Sequence, residues 1–308
     1  MRIQILGSAA GGGFPQWNCG CRNCQGLRAG TLRAKQRTQT QVAISDDGQE
    51  WFLLNASPDL RLQIERTTVL HARNLRHSPI SGVLVTSADI DHVAGLLSLR
   101  ELQPFRIYCT RSLRHILRED NSIFGMLNRV AQQVCWNDVN LCEKFPLLTT
   151  SGCESGISCE TFSVGTTYPQ YVAADRTAEL NPREASLGLL LTASSDKRLA
   201  YFPAVPKIDD SLLEVLDSAD LLLFDGTFWS NDELIRIQGS TLTTREMGHV
   251  PVGGDKGILR ALAGLRCPRK VFVHVNNTNP MLDESGAEFK EIRGAGWELA
   301  EDGWQLEL

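Results

Sequence analysis

Val83-Leu84-Val85-Thr86-Ser87-Ala88-Asp89-Ile90-Asp91-His92-Val93-Ala94-Gly95 is the stretch whose reading decides the fold. Its apolar, β-branched opening has the character of a buried strand. A polar loop follows, and residues 93–97 begin a helix. In α/β proteins such strand-end loops are where chemistry is placed. Asp91 and His92 are adjacent hard and borderline metal ligands. The plain alternative is an N-capping Asp next to a surface His. Residue type alone leaves both readings open.

Working outward, short apolar runs bounded by turn residues recur at 3–6, 51–54, 187–192, 199–202, 221–224 and 271–275. Their length and β-branched or aromatic content predict strands. Ser211-Leu212-Leu213-Glu214 has the form of a capping box opening a helix through Leu216. Residues 256–265 carry Ile258, Leu259, Ala261, Leu262 and Leu265 on helical spacing. Asp302-Gly303 predicts a closing hairpin between 297–300 and 304–308. Residues 120–182 are the least regular stretch and are expected to be loop-rich. Strands with interspersed helices indicate an α/β or α+β fold. No repeat or low-complexity linker interrupts the chain, so a single domain over 1–308 is expected.

Composition bounds the function. The 308 residues are 42% hydrophobic, enough for a sizeable core, and the net charge is −5 with both signs interspersed. No basic block stands out, so nucleic acid is not an expected partner. No run of about 18 apolar residues predicts a membrane span. Met1-Arg2-Ile3-Gln4-Ile5-Leu6 reads as a strand and not as a secretory signal, so a cytoplasmic protein is expected. Six of the nine cysteines (Cys109, Cys135, Cys142, Cys153, Cys159 and Cys267) are expected to be free, mostly buried thiols.

The other three spell C-x-C-x-x-C: Cys19-Gly20-Cys21-Arg22-Asn23-Cys24. Three thiolates this close can converge on one soft cation, and zinc wants four N or S ligands in a tetrahedron. Gly20 is expected to relieve crowding at the turn. The alternative is three ordinary thiols in a loop. A structural zinc knuckle at 19–24 is the reading taken, with a fourth ligand not visible in the local sequence.

The opening stretch resembles the metallo-β-lactamase superfamily signature T-H-x-H-x-D-H-x-x-G. Asp91, His92 and Gly95 match it; Ser87 and Asp89 stand where the signature has histidines. The run from Gly7 to Cys24 resembles the zinc-knuckle branch of that superfamily. Across nearly the whole chain the resemblance narrows to the coenzyme PQQ synthesis protein B family. It is carried by residues 11–19 (GGGFPQWNC), 55–59 (NASPD), 95–101 (GLLSLRE), 245–249 (REMGH) and 274–280 (HVNNTNP).

The resemblance implies a four-layer αββα fold. It implies that His274 is a metal ligand and that Asp225 and His249 form a carboxylate–histidine pair near the active site, with His249 as acid/base. The bridging Asp of the superfamily is replaced by Pro203, and a His expected within 162–168 is absent. Asp91, His92 and His274 then remain, with Asp89 and Ser87 near by as further candidate ligands. Two histidines and one carboxylate on one face of an octahedron leave three positions open, as in non-haem Fe(II) oxygenases.

The expectation is an Fe(II)-dependent hydroxylase of pyrroloquinoline quinone (PQQ) biosynthesis. Its substrates would be O₂ and a tyrosine-derived, multi-carboxylate precursor excised from a peptide. A homodimer around the knuckle is a further expectation from the branch. Two other readings stay open: a divergent metal-dependent hydrolase, and a carrier or export factor for PQQ. Residues 276–280 are expected to stiffen the loop after His274, and Gly11–Gly13 to form a turn. His71, His77 and His115 are read as surface or packing residues.

Overall fold

The computed structural model describes all residues, 1–308. Fourteen strands form two seven-stranded sheets. They are β1 (Arg2–Gly7), β2 (Gln41–Ser45), β3 (Trp51–Leu54), β4 (Ile80–Leu84), β5 (Phe105–Cys109), β6 (Val134–Asp138) and β7 (Lys144–Leu148), then β8 (Glu154–Gly165), β9 (Ser186–Thr192), β10 (Arg198–Phe202), β11 (Leu221–Asp225), β12 (Arg269–Val273), β13 (Trp297–Leu299) and β14 (Gln305–Glu307). The chain divides into two compact units. The first comprises Met1–Leu6, Gln41–Lys197 and Gly303–Leu308; the second comprises Gly7–Thr40 and Arg198–Asp302.

In the first unit one sheet runs β14-β1-β2-β3-β4-β5-β6. Its β3, β4, β5 and β6 pair in parallel, while β1–β14 and β2–β3 are antiparallel. The β3–β4 register sets Leu54 beside Leu84, so Asn55 and Val85-Thr86 leave the sheet together at the carboxyl ends of their strands. That is where open α/β sheets hold ligands. The core of this unit gathers Leu53, Val83, Val85, Val93, Leu96 and Ile107, all buried. The same unit holds the antiparallel ladder β7-β8-β9.

The second unit is built on the parallel ladder β10-β11-β12-β13. Its strands are apolar on both faces, as a sheet covered on both sides requires. Trp297 stacks on Phe272 at 4.1 Å and 12°, and Phe224 lies 6.2 Å from the same indole. Burying one such ring is worth about 1.5–3 kcal/mol. The β11–β12 register sets Asp225 beside Val273, which delivers Asp225 and His274 to the same strand ends.

The mixed sheets and flanking helices agree with the expected architecture, but several local expectations are corrected. Residues 297–308 form no hairpin: β13 joins β12 and β14 joins β1. Asp302 is no turn tip, because its carboxylate accepts from the Thr38 backbone N–H at 2.6 Å and from the Ser8 and Thr38 hydroxyls. The helix expected from Ser211 spans Asp210–Asp217 and is capped by Asp209, whose carboxylate accepts from the Leu212 N–H at 3.1 Å.

Residues 256–265 yield only the helix Ile258–Ala261, since Gly264 and Pro268 leave the rest as turns. The stretch 120–182 holds β6, β7 and β8. In β8 the buried positions Ile157, Cys159 and Thr161 do alternate, but a Cys and a Thr make that period hard to see. Of the six isolated cysteines, Cys109, Cys159 and Cys267 are buried whereas Cys135, Cys142 and Cys153 are exposed.

Gly95 fixes the turn that carries Asp91 and His92. Its N–H donates to Ala56 O at 2.8 Å, and the Ala56 N–H donates to His92 O at 2.7 Å. A Cβ at Gly95 would stand 2.2 Å from Ser57 O and 2.8 Å from Ala56 C. Backbone atoms cannot give way as a flexible side chain can. Gly95→Ala is expected to cost about 1–3 kcal/mol, as overpacking does. Urea denaturation followed by circular dichroism checks it; stability equal to that of the unaltered protein would contradict the role given to this glycine.

Candidate metal and proton-transfer site

In the first unit the short helix Ile90–Val93 carries Asp91 and His92 at the end of the β4 loop. His92 is 2% exposed and Asp91 is half-buried. Asn55, in a left-handed backbone conformation (φ 66°), accepts from the Thr86 N–H at 2.9 Å and the Thr86 hydroxyl at 3.0 Å. This clamp positions the start of the loop.

Ser87 and Asp89 are tied to His92. The Ser87 hydroxyl lies 2.7 Å from His92 Nδ1 and donates to Asp89 Oδ2 at 2.6 Å. A hydroxyl has one proton. Having given it to the carboxylate, Ser87 accepts from Nδ1–H. The tautomer of His92 is thereby fixed, and Nε2 becomes its basic nitrogen.

The second unit repeats this arrangement. His274 follows β12 with φ 57°, left-handed backbone that a non-glycine residue seldom adopts. The Thr227 hydroxyl lies 2.8 Å from His274 Nδ1; two acceptors are within reach of its one proton, Asp225 Oδ1 at 2.6 Å and His274 O at 2.8 Å, and the charged carboxylate at the shorter distance takes it. The backbone is held by bonds from Val275 N–H to Ser8 O, Ala10 N–H to Val275 O, and Asn276 N–H to Thr227 O.

Asp225 is fully buried and also serves His249, whose Nδ1 lies 2.7 Å from Oδ2. Oδ2 takes a second donor from the Val205 N–H at 2.9 Å, and Oδ1 a second from the Thr227 N–H at 3.0 Å. Four donors occupy the roughly four acceptor positions of a carboxylate. Burial alone raises the Asp225 carboxyl, but the histidines His249 and His274 and the Thr227 hydroxyl outweigh it, and the net shift is downward.

Asp225, His249 and His274 form one of the groups whose ligand atoms lie within 4.8 Å of one another. With its acceptor positions filled, Asp225 reads as an orienting group and not as a ligand. His249 stacks on His274 at 5.6 Å and 23°, with Phe228 edge-on to it at 5.7 Å. Its side chain is 12% exposed. Pro203, the residue in place of the bridging carboxylate, is buried just after β10.

Cys19, Cys21 and Cys24 form another such group, also in the second unit. Cys21 caps the helix Arg22–Ala29. Burial pushes the Cys21 thiol up to about 11, and the neighbouring thiols add to the rise. Three sulfurs held this close make a group that could bind a soft cation. Gly20 lies at the turn between Cys19 and Cys21, and beyond those two neighbours a Cβ there would first meet Gln25 Nε2, at 3.4 Å. Gly12 and Gly13 do adopt left-handed backbone, consistent with a turn at 11–13. His71 is exposed, His77 is half-buried, and His115 lies 3.6 Å from Asp120.

Thr227 is the residue the sequence reading passed over. Its only local signal is its place two residues after Asp225, where its N–H can close a turn on the carboxylate. Thr227→Val keeps the shape and deletes the hydroxyl, leaving Asp225 Oδ1 and His274 Nδ1 each one partner short. A loss of about 1–3 kcal/mol is expected in denaturant titration. The His274 Nδ1–H resonance should also vanish from its hydrogen-bonded position in ¹⁵N NMR. An unmoved resonance would remove Thr227 from the relay.

A family model described as a β-lactamase superfamily domain matches residues 50–275. Coenzyme PQQ synthesis protein B of Methylobacterium sp. (strain 4-46) is 44% identical, and that of Pseudomonas entomophila (strain L48) is 42% identical, each with 100% of both chains covered. The crystal structure of Zn²⁺-bound PqqB from Methylobacterium extorquens superposes with a TM-score of 0.90 at 41% identity, again over 100% of both chains. The fold is therefore the metallo-β-lactamase fold, of the α/β class, with two mixed sheets flanked by helices. Identity at this level over the full length makes the chain a member of the coenzyme PQQ synthesis protein B family.

Proposed function

We propose that this protein is an iron-dependent hydroxylase of PQQ biosynthesis, acting on the tyrosine ring of a peptide-derived precursor. Asp91, His92 and His274 would hold the iron, and Cys19, Cys21 and Cys24 a structural zinc. The observation that carries the reading is the pair of matched relays. Ser87 with Asp89, and Thr227 with Asp225, each engage the Nδ1 of a buried histidine. This is how metal-binding histidines are ordinarily oriented, with Nε2 as the donor atom.

The residues fit the group. One carboxylate and two neutral imidazoles suit Fe(II), and they are too few for a two-metal hydrolase with a bridging carboxylate. The three thiols suit zinc, the ion named for the Methylobacterium extorquens relative. Bound iron would supply the activation of O₂ at its open positions.

The chain's own residues supply positioning and proton transfer. With Nδ1–H given to Asp225, His249 keeps Nε2 as a proton acceptor beside His274. Asp225 would stabilise the imidazolium that forms, and its lowered pKa keeps it charged in that role. No helix is long and apolar enough to cross a membrane.

The test is anaerobic loading with Fe(II), then O₂ uptake and mass spectrometry with a tyrosine-derived multi-carboxylate substrate. One iron per chain and oxygen insertion into the ring are expected. Thr227→Val should weaken iron binding by about 10–100-fold, as loss of an orienting partner does. Activity undiminished by iron removal, or two ions bound with phosphodiester hydrolysis, would sink the reading. If His92→Ala and His274→Ala left PQQ production intact in cells, a carrier role would replace it.

A further inference from the structure

Above the three cysteines sits an amide that the ligand count has so far left out. Asn277 Nδ2 lies 3.1 Å from Cys19 Sγ, 3.6 Å from Cys21 Sγ and 3.3 Å from Cys24 Sγ. The amide is seated over the triangle of sulfurs and not against one edge. In a tetrahedral zinc site with Zn–S near 2.3 Å and Zn–O near 2.1 Å, the oxygen ligand stands about 3.6 Å from each sulfur. The Asn277 head group therefore occupies the place of a fourth ligand. Amide oxygen and nitrogen exchange by a half-turn about the last side-chain torsion. With protonated or metal-free sulfurs the NH₂ faces them and donates; with a cation between them the oxygen would.

We propose that Asn277, through its side-chain carbonyl oxygen, is the fourth ligand of the knuckle metal. Among His, Cys, Asp and Glu side chains, only the three cysteines gather there. The amide is held to its task. Asn277 is 2% exposed, and its backbone carbonyl accepts from Asn23 Nδ2 at 3.1 Å. Asn23 lies within the cysteine motif itself and also reaches Asn279 O at 2.9 Å. Three thiolates, one Zn²⁺ and a neutral amide leave one net negative charge. Arg28, whose guanidinium donates to Cys19 O at 2.7 Å, stands close enough to offset it.

The consequence is mechanical. Asn277 is three residues beyond His274, so the knuckle metal would pin the strand end that carries the proposed iron ligand. Asn276 Nδ2 donates to the Thr278 hydroxyl at 2.6 Å, and that hydroxyl donates to the buried Glu233 carboxylate. The segment between the two metal groups therefore has little freedom to absorb a shift.

This inference rests on metal binding by the cysteines but not on the hydroxylase reading. ¹¹³Cd NMR of the full-length protein exchanged with Cd²⁺ tests it, because the chemical shift counts thiolate ligands. A resonance typical of three sulfurs and one oxygen is expected. Asn277→Cys should move it to the four-thiolate range. Asn277→Asp, which keeps the oxygen and adds charge, should hold it near its place while tightening zinc binding. Asn277→Leu should weaken zinc binding, by chelator competition, by at least about tenfold. An unmoved resonance in folded Asn277→Cys would overturn the assignment, as would zinc affinity in Asn277→Leu within about twofold of the unaltered protein. No cadmium at the cysteines of the unaltered protein would overturn it together with the knuckle.

Discussion

The second unit depends on one buried carboxylate. Asp225 has no contact with water, and a bare carboxylate in such a place would be neutralised by protonation. It stays charged because four donors converge on it: two backbone N–H groups, one hydroxyl and one imidazole. Those donors come from residues 205, 227 and 249, and Thr227 extends the network to His274. One charge thus fixes the relative position of three chain segments. A neutral side chain of the same shape could not hold the imidazole of His249 as firmly, since hydrogen bonds to an ionised acceptor are about twice as strong as neutral ones.

The two relays give a physical account of the altered signature. Ser87 and Asp89 stand where the superfamily signature has histidines, and in this chain Ser87 engages His92 directly and Asp89 through Ser87. A hydroxyl that accepts from Nδ1–H and donates to a carboxylate does for His92 what Thr227 and Asp225 do for His274. The two hydroxyl–carboxylate pairs thus orient His92 and His274 in the same way, each through its Nδ1. The left-handed backbone at His274 fits the same logic. Strain of this kind persists where surrounding bonds over-determine the conformation, and here three backbone bonds do so.

How much of this the sequence disclosed follows from the range of the interactions involved. β3, β9, β10 and β11 are continuous apolar runs, and their burial on both faces follows from composition alone. The Asp-His turn and C-x-C-x-x-C were legible because each is local. The misplaced hairpin shows the limit. Asp302-Gly303 has the chemistry of a tight turn, and Gly303 does take a left-handed conformation (φ 91°). The carboxylate, however, is spent on Ser8 and Thr38, almost the whole chain away in sequence. Thr227 escaped notice for the same reason, and Asn277 is legible only as part of a loop-stiffening run. A threonine or an asparagine announces nothing by type, and its partners are set by the β11–β12 register and by the return of the chain to residues 19–24.

The asparagine run at 276–279 shows why polarity in that segment is not a sign of exposure. Asparagine is mostly a surface residue, yet Asn277, Thr278 and Asn279 are all buried. A loop that must pass between the three cysteines and the Asp225–His249–His274 group cannot fold around an apolar core, because its own backbone needs partners. Amides meet that need in both directions. The Asn279 side chain donates to Gly226 O at 3.0 Å and accepts from the Met281 N–H at 3.0 Å. The Glu233 carboxyl, raised by burial, accepts from Trp229 N–H and Thr278. Hydrogen bonds have direction where apolar packing does not. A segment held by them keeps one geometry, and a histidine at its head keeps one aim. The polar character of the loop is thus the means by which His274 is held still.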